Sequence, residues 1–117
     1  MSSKILVVED NAVLRNGMMA LLRMQGHNVA VASTVAEGRL HLQDNAPTHL
    51  ILDLNLPDGL GTDLLGLVGG KTPRPRAMVL TGSVEPRDLT TAWQLGVDEV
   101  LTKPPNWDKI IEWAGTP

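Results

Sequence analysis

Four apolar runs of this chain end in groups able to do chemistry. Asp53 follows Leu50-Ile51-Leu52 and precedes Leu54-Asn55-Leu56-Pro57-Asp58-Gly59. An acid leaving a buried strand ahead of a Pro/Gly turn is costly unless a cation or a reaction employs it. Ile5-Leu6-Val7-Val8 runs into Glu9-Asp10, Ala77-Met78-Val79-Leu80 into Thr81, and Val100-Leu101 into Thr102-Lys103. If these strands lie parallel in one sheet, all four polar ends meet at one edge.

Glu9, Asp10 and Asp53, gathered there, cannot all stay ionised without a counter-charge. A few carboxylate oxygens, with positions left open for water and phosphate, describe a Mg²⁺ site better than a Zn²⁺ site. His27, His41 and His49 lie outside the group. Lys103 supplies a point charge able to pair with a carboxylate or a phosphoryl oxygen, and Thr81 a hydroxyl donor. A carboxylate nucleophile, a divalent metal, a lysine and a hydroxyl are the parts needed to accept a phosphoryl group, with an aspartyl phosphate as the product. Asp53 is the expected phosphoacceptor.

The elements that would position these groups alternate strictly. Lys4 to Val8 reads as a buried strand. Asn11 can cap a helix in which Val13, Leu14, Met18, Leu21 and Leu22 recur at helical spacing, with Gly26 as its stop. Asn28 to Ala32 is a short strand. Ser33 or Thr34 can cap a second helix, with Glu37 completing a capping box and Val35, Ala36, Leu40 and Leu42 as its apolar positions. A strand from His49 to Leu54 leads through an Asp58-Gly59-Leu60-Gly61 turn to a helix over Thr62 to Val68. Ala77 to Thr81 is a strand, Pro86 opens a helix that Gly96 ends, Val97 to Thr102 is the last strand, and Trp107 to Ala114 the last helix. Five strand-helix units in alternation indicate a doubly wound five-stranded parallel sheet with helices on both faces. Ligands of such sheets bind at the carboxyl ends of the strands.

Composition bounds the rest. The 117 residues suggest one domain, expected to span 1–117, with roughly two-thirds of its unfolded surface buried. No cysteine is present, which excludes disulfides and thiolate metal sites. The net charge of −3, without a lysine/arginine cluster, argues against direct nucleic-acid binding. With no signal peptide and no apolar run of membrane-spanning length, a soluble cytoplasmic protein is the expectation. All three aromatics are Trp (Trp93, Trp107, Trp113), so the core must be aliphatic.

The stretches Ile5-Leu6-Val7-Val8-Glu9-Asp10-Asn11, Leu52-Asp53-Leu54-Asn55-Leu56-Pro57-Asp58-Gly59, Leu80-Thr81-Gly82 and Leu101-Thr102-Lys103-Pro104, in that order and at those separations, resemble the response-regulator receiver domain of two-component signalling. The resemblance implies a flavodoxin-like fold with strand order 2-1-3-4-5. It implies that Glu9 and Asp10 hold Mg²⁺, Asp10 more directly, with Asp53 and the backbone carbonyl of Asn55. It further implies that Thr81 and Lys103 engage the phosphoryl group and that the Lys103-Pro104 bond is cis. Receivers of this kind commonly carry Tyr or Phe in the fifth strand as a rotameric switch. Val100 occupies that position here, and the chain has no Tyr or Phe at all. Thr81, Val100 and Trp93 are therefore the expected switch and output positions.

The resulting expectation is a signalling switch. A histidine kinase or histidine phosphotransfer protein donates the phosphoryl group to Asp53 with Mg²⁺. A conformational shift is read by an effector or output domain not specified by the sequence, and the domain slowly dephosphorylates itself, with Asn55 and Ser83 positioning water. No output domain is expected within this chain, and a homodimer is open. Three other readings stand beside it: a Mg²⁺-dependent aspartyl-phosphate phosphohydrolase, a flavodoxin-like cofactor binder, and a pseudo-receiver that binds partners without phosphorylation. Asp58 reads as a turn residue, and Asp63, Asp98 and Glu99 as solvated or capping groups. Met18, Met19 and Met24 read as helix packing, and Trp107 and Trp113 as covers for the end of the core.

Overall fold

The computed structural model describes residues 3–44, 46–82 and 85–116. Its apolar runs become strands β1 (Lys4–Val8), β2 (Asn28–Ala32), β3 (His49–Leu52), β6 (Arg76–Thr81) and β7 (Glu99–Thr102), all parallel, in the order β2-β1-β3-β6-β7. Between them run helices α1 (Ala12–Met24), α2 (Val35–Asp44), α3 (Thr62–Val68), α4 (Pro86–Gln94) and α5 (Trp107–Ala114). This is the doubly wound sheet that strand-helix alternation implies, in the flavodoxin-like strand order that the family resemblance implies.

Successive strand residues point to opposite faces, so each strand feeds two apolar layers. Leu6, Val8, Leu50, Leu52, Ala77 and Val79 pack with Leu42 of α2, Leu64 and Leu65 of α3 and Ala92 of α4. Ile5, Val7, Ile51, Met78 and Leu80 pack with Met18 and Leu22 of α1 and with Ile110 and Trp113 of α5. Asn11 caps α1 by accepting from the Leu14 amide. Thr34 caps α2 by accepting from the Glu37 amide, while Glu37 reaches back to the amide and hydroxyl of Ser33. Asn106 caps α5 in the same way as Asn11, a role not anticipated from the sequence. Gly26 and Gly96, each at φ 90°, let the chain leave α1 and α4 in a conformation that other residues rarely adopt.

The boundaries differ from the sequence reading in informative ways. β3 ends at Leu52, because the chain leaves the sheet at Asp53 and folds into a two-rung hairpin, β4 (Asn55–Leu56) with β5 (Gly59–Leu60), turning at Pro57-Asp58. β7 starts at Glu99 because the Val97 amide is taken by the Ala92 carbonyl at the end of α4. Val13 and Met24 belong to an outward stripe of α1 and are 84% and 82% exposed, since the inward stripe runs through Met18 and Leu22. Leu40 faces outward for the same reason, α2 burying Val35, Gly38 and Leu42 instead.

Candidate functional site

The strand register brings the site together. Val8 sits opposite Leu52, Leu52 opposite Val79, and Thr81 opposite Thr102. Glu9, Asp53 and Lys103 each follow the last strand residue, and each amide adds one more rung to the ladder. The Glu9 N–H donates to the Ala32 carbonyl at 2.9 Å, that of Asp53 to the Val8 carbonyl at 3.1 Å, and that of Lys103 to the Thr81 carbonyl at 2.9 Å. The three side chains thus start from the same carboxyl edge of the sheet, at the ends of β1, β3 and β7.

Lys103 Nζ lies 2.7 Å from Glu9 Oε1 and 2.8 Å from Asp53 Oδ2. The second oxygens are held by the backbone: the Asn11 amide donates to Glu9 Oε2 at 3.1 Å, and the Asn55 amide to Asp53 Oδ1 at 3.2 Å. Glu9 is 1% exposed and Asp53 7%, whereas Asp10 is open to solvent. One oxygen from each of the three acids lies within 4.8 Å of the others. Burial pushes the Glu9 carboxyl above the ordinary glutamate range, against the opposing pull of Lys103 and the Asn11 amide. Burial also works to lower Lys103, but its bonds to Asp53 and Glu9 outweigh that, and the ammonium ends above the usual lysine range.

One ammonium thus serves two buried carboxylates, with the exposed Asp10 carboxylate beside them. The donors are all oxygen, and one side of the group is open to water. That set fits a hard divalent cation and leaves the acidic pocket compatible with a divalent metal site. His27 and His49 lie elsewhere, engaged with the Ser3 amide and with Thr48 and Thr116.

Of the other expected residues, Thr81 is buried at the end of β6, beside the Lys103 rung. The Lys103-Pro104 bond is cis, and so is Thr72-Pro73. Val100 is half-buried and packs on the α2–α3–α4 layer along with Leu89, while Trp93 projects from α4, 53% exposed. Ser83 lies outside the described residues.

Two residues at the site were not singled out by sequence, and a third does more than its sequence reading gave it. Arg15 Nη1 donates to the Glu9 carbonyl at 2.9 Å and the Asp10 carbonyl at 3.3 Å, bracing the turn that carries both acids. Its only signal was a cation one helical turn after the Asn11 cap. At Gly61 a Cβ would overlap the Asp53 carbonyl, so only glycine lets the chain pass there on its way into α3. Asp58 proves to be more than a turn residue, accepting from the amides of Val35 at 2.8 Å and Ala36 at 3.0 Å.

With this geometry in place, the relatives are informative. The model of the response regulator receiver domain matches residues 5–114. The chain belongs to the response regulator receiver family. Over 107 residues it is 31% identical to the acid tolerance regulatory protein ActR of Rhizobium meliloti, covering 92% of this chain and 55% of ActR. It is 32% identical over 108 residues to the virulence transcriptional regulatory protein PhoP of Salmonella typhimurium, covering 92% of this chain and 48% of PhoP. The chain therefore spans about half the length of these relatives. Among solved structures, a CheY-like receiver domain protein from Methanospirillum hungatei superposes with a TM-score of 0.91 at 25% identity, over 97% of this chain and 90% of that one. The BeF3-activated DrrB receiver domain gives a TM-score of 0.83 at 25% identity, over 97% and 94% of the two chains. This receiver domain thus falls within phosphorylation-dependent signalling, in a family whose members work with histidine kinases and output domains. Among the described residues no helix is long and apolar enough to cross a membrane.

Proposed function

We propose that Asp53 accepts a phosphoryl group from the phosphohistidine of a histidine kinase or histidine phosphotransfer protein. The observation that carries this reading is the Asp53 carboxylate itself. It is buried, fixed by the Asn55 amide on one oxygen and Lys103 on the other, and lies within 4.8 Å of two further acids. In the transfer, an Asp53 oxygen bonds to phosphorus, the P–N bond breaks, and its electron pair leaves with the imidazole, which takes a proton from solvent. Lys103 exchanges its bond to Asp53 for one to a phosphoryl oxygen, and the Thr81 hydroxyl donates to another. Bound Mg²⁺, held by Glu9, Asp10, Asp53 and the Asn55 carbonyl, supplies neutralisation of the charge on those oxygens. Asn55 and Ser83 position the water of a slow autodephosphorylation.

The modified Asp53 then biases two conformations of the domain. Thr81 moves toward the phosphoryl group, and Val100 and Trp93 carry the change to an effector or output domain. A small aliphatic at Val100 makes this face differ from one read by an aromatic rotamer.

Intact mass after treatment with acetyl phosphate and Mg²⁺ tests the reading. One added phosphoryl group, dependent on Mg²⁺ and lost in Asp53→Ala, is expected. No gain would favour a pseudo-receiver, and rapid multiple turnover a phosphohydrolase.

A further inference from the structure

The segment between Asp53 and α3 is anchored by the buried Leu54 and Leu56 but has few backbone rungs of its own. Its hairpin has two rungs, Asn55 with Leu60 and Leu56 with Gly59, and a ribbon of that size has no stability of its own. Leu56 is buried beneath it, and the Gly61 amide bonds the Leu54 carbonyl at 2.8 Å. At its tip, Asp58 bonds across to the start of α2. The two oxygens of that side chain take the Val35 and Ala36 amides, the first two of α2, from 23 and 22 residues away. Thr34 already takes the third amide, that of Glu37, as a local cap does. The bonds from Val35 and Ala36 hold the Asp58 carboxyl below the usual aspartate range, so it accepts them as a carboxylate.

The same stretch of chain also anchors the acidic pair, because the Ala32 carbonyl receives the Glu9 amide. Residues 32 to 36 therefore grip the Glu9-Asp10 segment at one end and the hairpin at the other. Asn55 stands three positions before Asp58, at the base of the hairpin's first arm, with its amide on Asp53 Oδ1. Any tilt of the hairpin away from α2 swings the Asn55 backbone relative to Asp53.

We propose that Asp58 is a positioning residue, which clamps the β4–β5 hairpin onto the first turn of α2 and so holds the Asn55 backbone carbonyl toward the Glu9–Asp10–Asp53 group. This rests on the reading of that group as the Mg²⁺ site of the phosphoacceptor. Helix capping alone would be a purely structural role, and Thr34 gives the comparison that separates the two. Thr34→Ala removes a cap bond from the same end of α2 without touching the hairpin.

Calorimetric titration of the whole chain with Mg²⁺ reads the difference, alongside urea unfolding as a stability check. Asp58→Ala is expected to weaken Mg²⁺ binding about tenfold, as loss of a residue supporting a metal ligand does. Thr34→Ala is expected to bind as the parent does, although both variants lose stability. Asp58→Asn, which keeps one acceptor oxygen, should fall between, and it serves if Asp58→Ala does not fold. Unchanged Mg²⁺ affinity in the Asp58 variants, or an equal loss in Thr34→Ala, overturns the clamp while leaving the phosphoacceptor reading intact. Absence of Mg²⁺ binding by the parent chain overturns both.

Discussion

The Lys103 ammonium rests 2.8 Å from Asp53 Oδ2, and the same nitrogen is 2.7 Å from Glu9 Oε1. Removing one partner of a buried ion pair costs about 3–5 kcal/mol, because the remaining charge is stranded. A quarter of the Lys103 side chain is exposed, so solvent screens part of that loss. Lys103→Met is expected to lower stability by about 1–3 kcal/mol at neutral pH. Mg²⁺ should restore more stability to the variant than to the parent, since it supplies the missing positive charge. Urea unfolding of both proteins with and without Mg²⁺ checks this, and equal Mg²⁺ effects would show that the two charges do not share a task.

Burial works against ionisation of Glu9 and outweighs the help of Lys103 and the Asn11 amide. Its carboxyl therefore binds a proton more readily in the folded state than in the unfolded chain. The stability linked to that proton is fully present below the ordinary value of 4.5 and is lost as pH rises through the raised folded value. Glu9→Gln keeps the shape and an acceptor for the Asn11 amide but carries no charge. Without Mg²⁺ it should melt a few degrees higher than the parent at neutral pH, a gain that disappears toward pH 4 (about 1 kcal/mol moves Tm by several degrees). The same change should weaken Mg²⁺ binding, trading function for stability. A melting series across pH decides the matter, and a variant that melts lower at every pH would sink it.

The reactive positions are legible in the chain because each ends an apolar run, and parallel pairing in register then forces the ends together. Glu9, Asp53 and Lys103 need only one further rung each to reach their places. What sequence cannot carry is partnership across distance. Asp58 in a Pro-Asp-Gly turn reads the same whether it bonds its own turn or a helix start 23 residues earlier. Arg15 serves backbone carbonyls, which leave no mark on residue type. Val13, Leu40 and Met24 show the limit of periodicity, because an apolar residue one position off the inward stripe fits the count yet meets solvent.

Gly61 is required by close approach, not by an unusual backbone angle. A Cβ there would overlap the Asp53 carbonyl and press on Leu52 Cδ1. Backbone cannot yield as a flexible side chain does, so the loop or Asp53 must move. Gly61→Ala is expected to cost about 1–3 kcal/mol and to slow labelling of Asp53 by acetyl phosphate more than the stability loss explains. Labelling rates measured well below the melting temperature separate the two effects. Parent-like labelling in a destabilised variant would confine Gly61 to folding.

Trp113 closes the floor of the sheet, packed edge-on against His49 with ring centroids 4.9 Å apart and with the Arg76 guanidinium 6.0 Å from its ring. The residue is buried, yet its Nε1–H finds no acceptor among the described residues. A buried donor without a partner costs about 1–3 kcal/mol, which offsets part of what the large ring contributes. Trp113→Phe removes that donor along with one ring, so desolvation relief and lost packing should nearly cancel. Its stability is expected within about 1 kcal/mol of the parent, against a loss of about 3–5 kcal/mol for Trp113→Ala. Urea unfolding of both variants measures the contrast. A Phe variant as unstable as the Ala variant would mean that the indole N–H is satisfied in solution and that Trp113 is held there by a bond as well as by its bulk.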